Sequence, residues 1–593
     1  MTAHAAHIDF ETQSAVDLKK RALDVYANHP TTQPYCLGFA FDDDPVHLMD
    51  SLPTHEGRRL CTSGAAGADR LMRHVAAGEL VYAHNAAFEL AIWNSICVPR
   101  YGWPVLDAGQ VRCTMAMCYA MALPGALEHA AAAVGIDMQK DMAGHRIMMQ
   151  LAKPRPKRRK RGEPAIGVCP HCNGEGWNAL LESLCSCTEF HDDVEKYQRV
   201  YAYCRMDVAV ERALHKRLLE LTPAEQHLWT IDRRINSRGV QIDVPAARAA
   251  LRVIASEMTR FNREMDIVTG GVVPACTNTK ALADWVRLQG VPCAGVAKPD
   301  VIDLLDGDLP GDVRTPVGLD GEVDIRPGAV RKALLLRQEA GKSSLAKIDR
   351  MIEVMGADGR VRNTKQYHSA TTGRWGGRHT QFDNLPRPPR WLKKASDQDA
   401  VLNALIDGKG ADYIAMMYGS PLDALVACVR GFIVAADGCD LIAVDYSNIE
   451  GRVLAWLAGE AWKLDAFRAA DAGTGPGIYE LTYARSFDVA VDTVDEFMRQ
   501  IGKVVELACG FGGGVGAFQA MAKVYNVKVS DKQADEFKTR WRGIHPNITG
   551  YWDALEKAAI NAVLFGGVHS AGPDGREVRF KVAGSFLWCR LPS

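Results

Sequence analysis

Between residues 1 and about 215, short apolar runs that read as strands ("AHIDFET", "YCLGFAF", "LVYAHN") alternate with helical stretches. That alternation confines this part of the chain to an α/β domain built on a sheet. The first run also carries charge. Asp9 and Glu11 stand two residues apart, so on a strand both side chains leave the same face. Tyr203 and Asp207, in "YAYCRMDVAVERAL", stand four apart and share one helix face. Between them, "LVYAHNAAFELAIW" reads as a strand, a cap at Asn85, and a helix whose first turn carries Glu89. Each feature is common alone, and an acid in a strand is usually solvated. Taken together, four carboxylates and a tyrosine can converge on one site. Two divalent metals need several hard oxygen ligands, which carboxylates supply.

A chain of 593 residues exceeds what one hydrophobic core can organise, so two to four domains are expected. From about 216 to 350 the pattern is mostly helical, interrupted by a Gly- and Asp-rich stretch (304–328) that reads as a loop. Strand signals follow from 351, then a helix-rich zone at about 461–560. A hairpin closes the pattern near residues 566–593, turned by "PDG". The net charge of −1 means that any nucleic-acid binding must come from local patches, such as the basic run "KPRPKRRKRGEP" at 153–164. There is no apolar run long enough to span a membrane, and the N-terminus lacks a signal-peptide pattern. Both point to a cytoplasmic protein without a membrane partner.

The 16 cysteines fit reduced thiols, with one cluster apart. Cys169, Cys172, Cys185 and Cys187 follow the pattern CxxC, twelve residues, CxC, and four thiolates in a short polar segment suit a structural Zn2+. The plainer reading is a loop of reduced cysteines.

Three further stretches carry charge in a pattern. "AVDYSNIEGRVLAWLAGE" reads as a buried strand ending at Asp445, then a helix opened by Glu450. "SNIE" also fits a capping box, with Ser447 as the N-cap and Glu450 reaching back to its amide. "RQIGKVVELACGFGGG" puts Arg499, Lys503, Leu507 and Phe511 at four-residue steps, one stripe of a helix. Two cations at its start suit a triphosphate. A half-buried helix with two surface cations is the alternative. "YHSATTGRWGGRHTQFDNLPRP" (367–388) has the glycine and arginine content of backbone lying close to phosphates, or of a basic turn.

The segments "DFET", "HNAAFE" and "YCRMD" resemble the three motifs of DEDD-type 3′→5′ proofreading exonucleases, tyrosine subtype. The resemblance implies an RNase H-like fold and two-metal hydrolysis of DNA. Asp9, Glu11 and Asp207 would hold the metals and Tyr203 would orient the attacking water. Glu89 stands where the family usually has aspartate, as a ligand one methylene longer. "VDYSNIEGRVLAWLAGE" resembles the first palm motif of the DNA polymerase I family, family A. Asp445 is then implied as a catalytic ligand of Mg2+ or Mn2+, and Glu450 as the steric gate against the ribose 2′-hydroxyl. By the same resemblance Arg499 and Lys503 bind dNTP phosphates, and Phe511, followed by Gly512, stands near the templating base pair in place of the usual tyrosine. Leu507 replaces the usual aromatic residue. Arg374 would contact primer–template DNA.

The implied architecture is multidomain, α/β and α+β. It comprises an exonuclease domain (1–215, with a basic and Cys-rich insertion at 153–191), thumb (216–350), first part of the palm (351–460), fingers (461–560) and a return to the palm (561–593). The implied function is a DNA-directed DNA polymerase with proofreading, in DNA replication. "IDRRINSRGVQID" is similar in style to phage members, so host cytoplasm is the expected location. The family's second palm carboxylate sits in a His-Asp hairpin, and no aspartate after Asp445 follows a histidine between apolar runs. The only His-Asp pair, His191-Asp192, precedes Tyr203. The palm is therefore expected to lack its last part, with a second polypeptide supplying it. The alternative is an active exonuclease attached to a DNA-binding polymerase remnant that makes no DNA.

Overall fold

The computed structural model describes residues 5–51, 67–137, 141–157, 169, 177–178, 183–317, 322–525 and 527–592. The chain divides into two compact units, Met1–Leu441 and Ile442–Ser593, a boundary that falls inside the 351–460 stretch.

The first unit opens with the expected sheet. Its strands are β1 (Ala6–Gln13), β2 (Gln33–Phe41), β3 (His47–Asp50), β4 (Val81–Ala83) and β5 (Val111–Cys113), in the order β3-β2-β1-β4-β5. β1 pairs antiparallel with β2 and parallel with β4, and it is buried along nearly its whole length, as a central strand must be. Asp9 lies opposite Gly38 and Glu11 opposite Cys36. The register then slips, so that Thr12 faces Pro34 and Tyr35 is the extra residue of a β-bulge.

Against this sheet lies the helix Val194–His215, whose N-cap Asp193 accepts a hydrogen bond from the Lys196 amide. Its approach to β2 is possible because residue 38 is glycine. A Cβ there would sit 3.0 Å from both Cys204 Sγ and Val208 Cγ2. The helix Met142–Leu151 packs on the same long helix at Gly144, where a Cβ would lie 2.9 Å from that of Tyr203.

Asn85 is not the cap expected of it. The helix Ala87–Ile92 starts after Ala86 without a side-chain cap, and Asn85 takes a positive φ of 60° in the turn before it. Asparagine tolerates that conformation better than most residues, which is the same chemistry that makes it a cap.

Beyond residue 216 the first unit is mainly helical, gathered around the 26-residue helix Val244–Thr269. Its core includes Phe261, Leu282, Trp285, Leu334, Ile348 and Met351. The expected loop at 304–328 contains an antiparallel hairpin, Val313–Val317 with Glu322–Arg326. The Val, Thr and Ile content of "VRTPV" and "EVDIR" favours strands, and the surrounding glycines and aspartates masked that signal.

The second unit is a helical bundle (Ile449–Ala458, Ala461–Asp471, Ile478–Phe487, Glu496–Cys509, Val515–Val524, Asp531–Ile544, Pro546–Phe565) followed by a three-stranded antiparallel sheet. The sheet's strands are Val568–Ala571, Val578–Ala583 and Phe586–Arg590, so the expected hairpin has a third strand. The expected buried strand ending at Asp445 is absent. Residues 441–446 have no regular structure, and Ile442, Val444 and Tyr446 are 87%, 84% and 77% exposed. Nothing in the described chain pairs with them or covers them. Among the described residues no helix is long and apolar enough to cross a membrane.

At the centre of this bundle is an ion pair that local sequence patterns do not reveal. Lys463 Nζ bonds Glu506 Oε1, and Trp541 Nε1–H donates to Glu506 Oε2 at 3.0 Å, with all three side chains buried. Burial pushes the Glu506 carboxyl up, but Lys463 and then His545 and Trp541 bring it below its ordinary value. Burial and the charge of Lys463 lower His545 to about 4.

Both shifts have the same sign for stability. As pH falls from 6.5 toward 4 the unfolded chain takes up a proton on His545 that the folded chain refuses. At lower pH, Glu506 must surrender its charge. The His545 part should cost the bundle about 3 kcal/mol by pH 4. Lys463→Met, which strands the Glu506 charge, should cost about 3–5 kcal/mol at pH 7. Hydrogen exchange of the helix Glu496–Cys509 reads both, and protection unchanged by Lys463→Met and by pH would refute the account.

Candidate active site

The sheet and the long helix bring the predicted acids together. One carboxylate oxygen from each of Asp9, Glu11 and Asp207 lies within 4.8 Å of the others. Glu89 reaches the same place from the helix after β4, where its Oε2 accepts the Phe10 amide at 3.2 Å. Tyr203 is buried one turn before Asp207 and hydrogen-bonds to it. Alternation along β1, the four-residue step on the helix, and the short β4-to-helix turn thus converge on one cluster.

Its electrostatics are those of a site short of positive charge. Burial, then the charge of Asp207, holds the Asp9 carboxyl well above the usual range. Glu11 is raised by burial and by Asp9, and Glu89 likewise. Burial and the Asp207 charge push the Tyr203 phenol far up, so it remains a proton donor. Asp9 Oδ2 is buried without a hydrogen-bond partner. A native fold rarely leaves such an oxygen orphaned, and a hard divalent cation is the partner that an all-carboxylate donor set accommodates. Mg2+ or Mn2+ fits these residues.

Sequence reasoning missed the support behind the acids. Glu211, one turn beyond Asp207, is buried and meets His7 Nδ1 at 2.5 Å. Cys204 Sγ–H donates to the Asp9 carbonyl at 3.4 Å. Tyr197 O–H donates to Gln13 Oε1 at 2.8 Å and to the His191 carbonyl at 3.1 Å, tying the start of the helix to the end of β1. The only available signal was that 197, 200, 204, 208 and 211 follow helical spacing beside Asp207.

The second unit arranges its predicted residues differently. Glu450 is in the first turn of the helix Ile449–Ala458, but the N-cap position is Asn448, at φ 50° without a side-chain cap, so the Ser447 capping box does not form. Glu450 instead lines an open, largely apolar groove of about 740 Å³ with Leu507, Phe511, Tyr551, Trp552 and Phe580. The expected stripe stops early. The helix Glu496–Cys509 holds Arg499, Lys503 and Leu507, while Phe511 and Gly512 lie past its end, Phe511 being 73% exposed and Gly512 at φ 73°. Arg499 Nε donates to Glu480 Oε1 at 2.6 Å, and Lys503 Nζ sits 4.4 Å from the Tyr525 ring centroid. Asp445 is exposed and belongs to no group of three candidate ligands among the described residues. Arg374, in the first unit, is exposed on the turn between the paired segments Lys365–Gln366 and Gly376–Gly377.

Residues 328–565 match the family model described as DNA polymerase family A. Over 563 residues the chain is 31% identical to the DNA polymerase of Bacillus phage SP02, an alignment covering 94% of this chain and 76% of that protein. A shorter match joins 123 residues to the DNA polymerase I of Treponema pallidum at 32% identity, 21% of this chain and 11% of that protein. Among solved structures, the POL domain of Pol1 from M. smegmatis, in complex with DNA primer-template and dNTP, is similar with a TM-score of 0.52. That match has 13% identity and covers 95% of this chain and 76% of that one, so it is a likeness of fold.

Proposed function

This chain belongs to DNA polymerase family A, and on that basis we propose that residues 1–215 are its 3′→5′ proofreading exonuclease, with an RNase H-like fold, acting in DNA replication. The observation that carries this reading is the convergence of Asp9, Glu11 and Asp207 within 4.8 Å, with Glu89 beside them. Asp9, Glu11, Glu89 and Asp207 would hold two Mg2+ or Mn2+ ions. When bound, such ions activate water and neutralise charge on the scissile phosphate. Tyr203, kept protonated by burial and by its acidic neighbours, orients the attacking water through its O–H. The support from Cys204, Tyr197 and Gly38 fixes where the helix presents Tyr203 and Asp207. The test is digestion of a 5′-labelled single strand by the purified chain. Shortening from the 3′ end should need Mg2+ or Mn2+ and stop with EDTA. A full-length product after long incubation with either metal would end this reading.

For synthesis, we propose that the second unit supplies the nucleotide-handling half of the polymerase site. Arg499 and Lys503 bind dNTP phosphates, Phe511 and Gly512 border the templating base pair, Arg374 contacts primer–template DNA, and Asp445 is one metal ligand. The absent capping box and the place of Glu450 on the groove beside Phe511 favour the gate over the cap. In an active assembly Glu450→Ala should therefore raise ribonucleotide incorporation by about tenfold or more, a change of 1.4 kcal/mol in discrimination. Unchanged sugar choice would refute the gate. Asp445 needs a second palm carboxylate, and we propose that it comes from a palm segment outside residues 1–593. The rival reading, an exonuclease with a non-synthesising remnant, accommodates the irregular, exposed stretch at Asp445 as well. Primer extension separates the two.

A further inference from the structure

We propose that Cys169, Cys185 and Cys187 bind a structural Zn2+ that staples the 153–191 insertion to the start of the helix carrying Tyr203 and Asp207. Their ligand atoms all lie within 4.8 Å of one another. Cys169 Sγ is 3.8 Å from Cys185 Sγ, and Cys187 Sγ is 3.3 Å from it. Two thiolates on one tetrahedral zinc, each about 2.3 Å from the metal, stand about 3.8 Å apart. A disulfide needs about 2.05 Å, and neither pair is close to that. The three thiols come together from positions 16 and 2 residues apart. Cys172, the fourth cysteine of the CxxC…CxC pattern, lies outside the described residues.

The surroundings are those of a segment that needs a staple. Among its described residues there are two ladders of two residues each, Arg155–Pro156 with Thr188–Glu189 and Trp177–Asn178 with Ser183–Leu184. Pairs that short are not stable by themselves. The backbone closes around the thiols, with the Thr188 amide donating to the Cys185 carbonyl at 3.0 Å and the Lys157 amide to the Cys187 carbonyl at 2.9 Å. Four residues beyond Cys187, the His191 carbonyl accepts from Tyr197, whose hydroxyl also reaches Gln13. The cysteine cluster therefore adjoins the N-terminal anchor of the helix behind the acid site. Thiolates select zinc, whereas the carboxylates of that site suit harder cations, so the two sites are separable by substitution.

The experiment is elemental analysis of the full chain purified without chelator. About one zinc per chain is expected in the wild type and in Asp9→Asn, falling several-fold in Cys185→Ser and Cys187→Ser. Cobalt-grown wild type should show thiolate-to-cobalt charge-transfer absorption that Cys185→Ser lacks. If the serine variants are insoluble, mercurial titration of wild-type thiols decides instead, and should release zinc into a chromogenic chelator. Zinc well below one per chain with no thiolate absorption overturns the proposal. So does equal zinc in wild type and Cys185→Ser, or a pair of cysteines found oxidised among the 16.

Discussion

Asp9→Asn is expected to reduce 3′→5′ hydrolysis on the order of 10³-fold or more, because residues that act as one catalytic unit lose nearly everything when one is removed. The same change should stabilise the protein in EDTA. The two effects have one cause. Asp9 sits in the middle of the cluster, where its charge raises Glu11 and Glu89, and its own carboxyl is raised by burial and by Asp207. Without cations, that crowding is a penalty held in the folded state. An isosteric amide removes one charge and leaves the packing alone. It also removes one of the hard oxygen ligands that two cations would share. Activity and metal-free stability should therefore move in opposite directions, which an ordinary destabilising core substitution cannot produce. Wild-type digestion rates in Asp9→Asn would remove Asp9 from the chemistry. A lower melting temperature than wild type in EDTA would show that the crowding account is wrong.

The acid cluster was legible because it is built from short periods. A two-residue step on β1, a four-residue step on the helix, and a strand-turn-helix run placing Glu89 are all local patterns. What supports the cluster is not local. Gly38 matters only because Cys204 and Val208 lie against it, and no pattern near residue 38 announces a helix from 166 residues away. Lys463 and Glu506 are 43 residues apart and meet through the bundle's packing. The stretch before Asp445 fails for another reason. An apolar run shows what a segment will bury once a partner is there, and "LIAV" reads as a buried strand whether or not anything lies beside it. Phe511 shows a third limit. Four-residue spacing continues through "CGFGGG", but the helix stops at Cys509, where glycines end it.

Residues 1–593 alone should fail to extend a primer, and a polypeptide carrying the second palm carboxylate should restore extension. Phosphoryl transfer by two metals needs at least two carboxylates to hold them. Asp445 has the family's sequence context, yet it is exposed and joins no group of three candidate ligands among the described residues. The residues around it expose Ile442, Val444 and Tyr446, apolar side chains at alternate positions, as on one face of a strand. Their backbone is in no strand. An unpaired apolar edge of that kind is a template for another chain, so pairing with an incoming palm strand would cover the side chains and give Asp445 a fixed place beside a second acid. Primer extension has three outcomes. Extension by the mixture but not by either part, lost again in Asp445→Ala, supports a palm completed by residues outside 1–593. No extension by the mixture, with exonuclease intact, supports the remnant reading. Robust extension by the 593-residue chain alone would place the second carboxylate within it and leave the exposed stretch at Asp445 without the role argued for it.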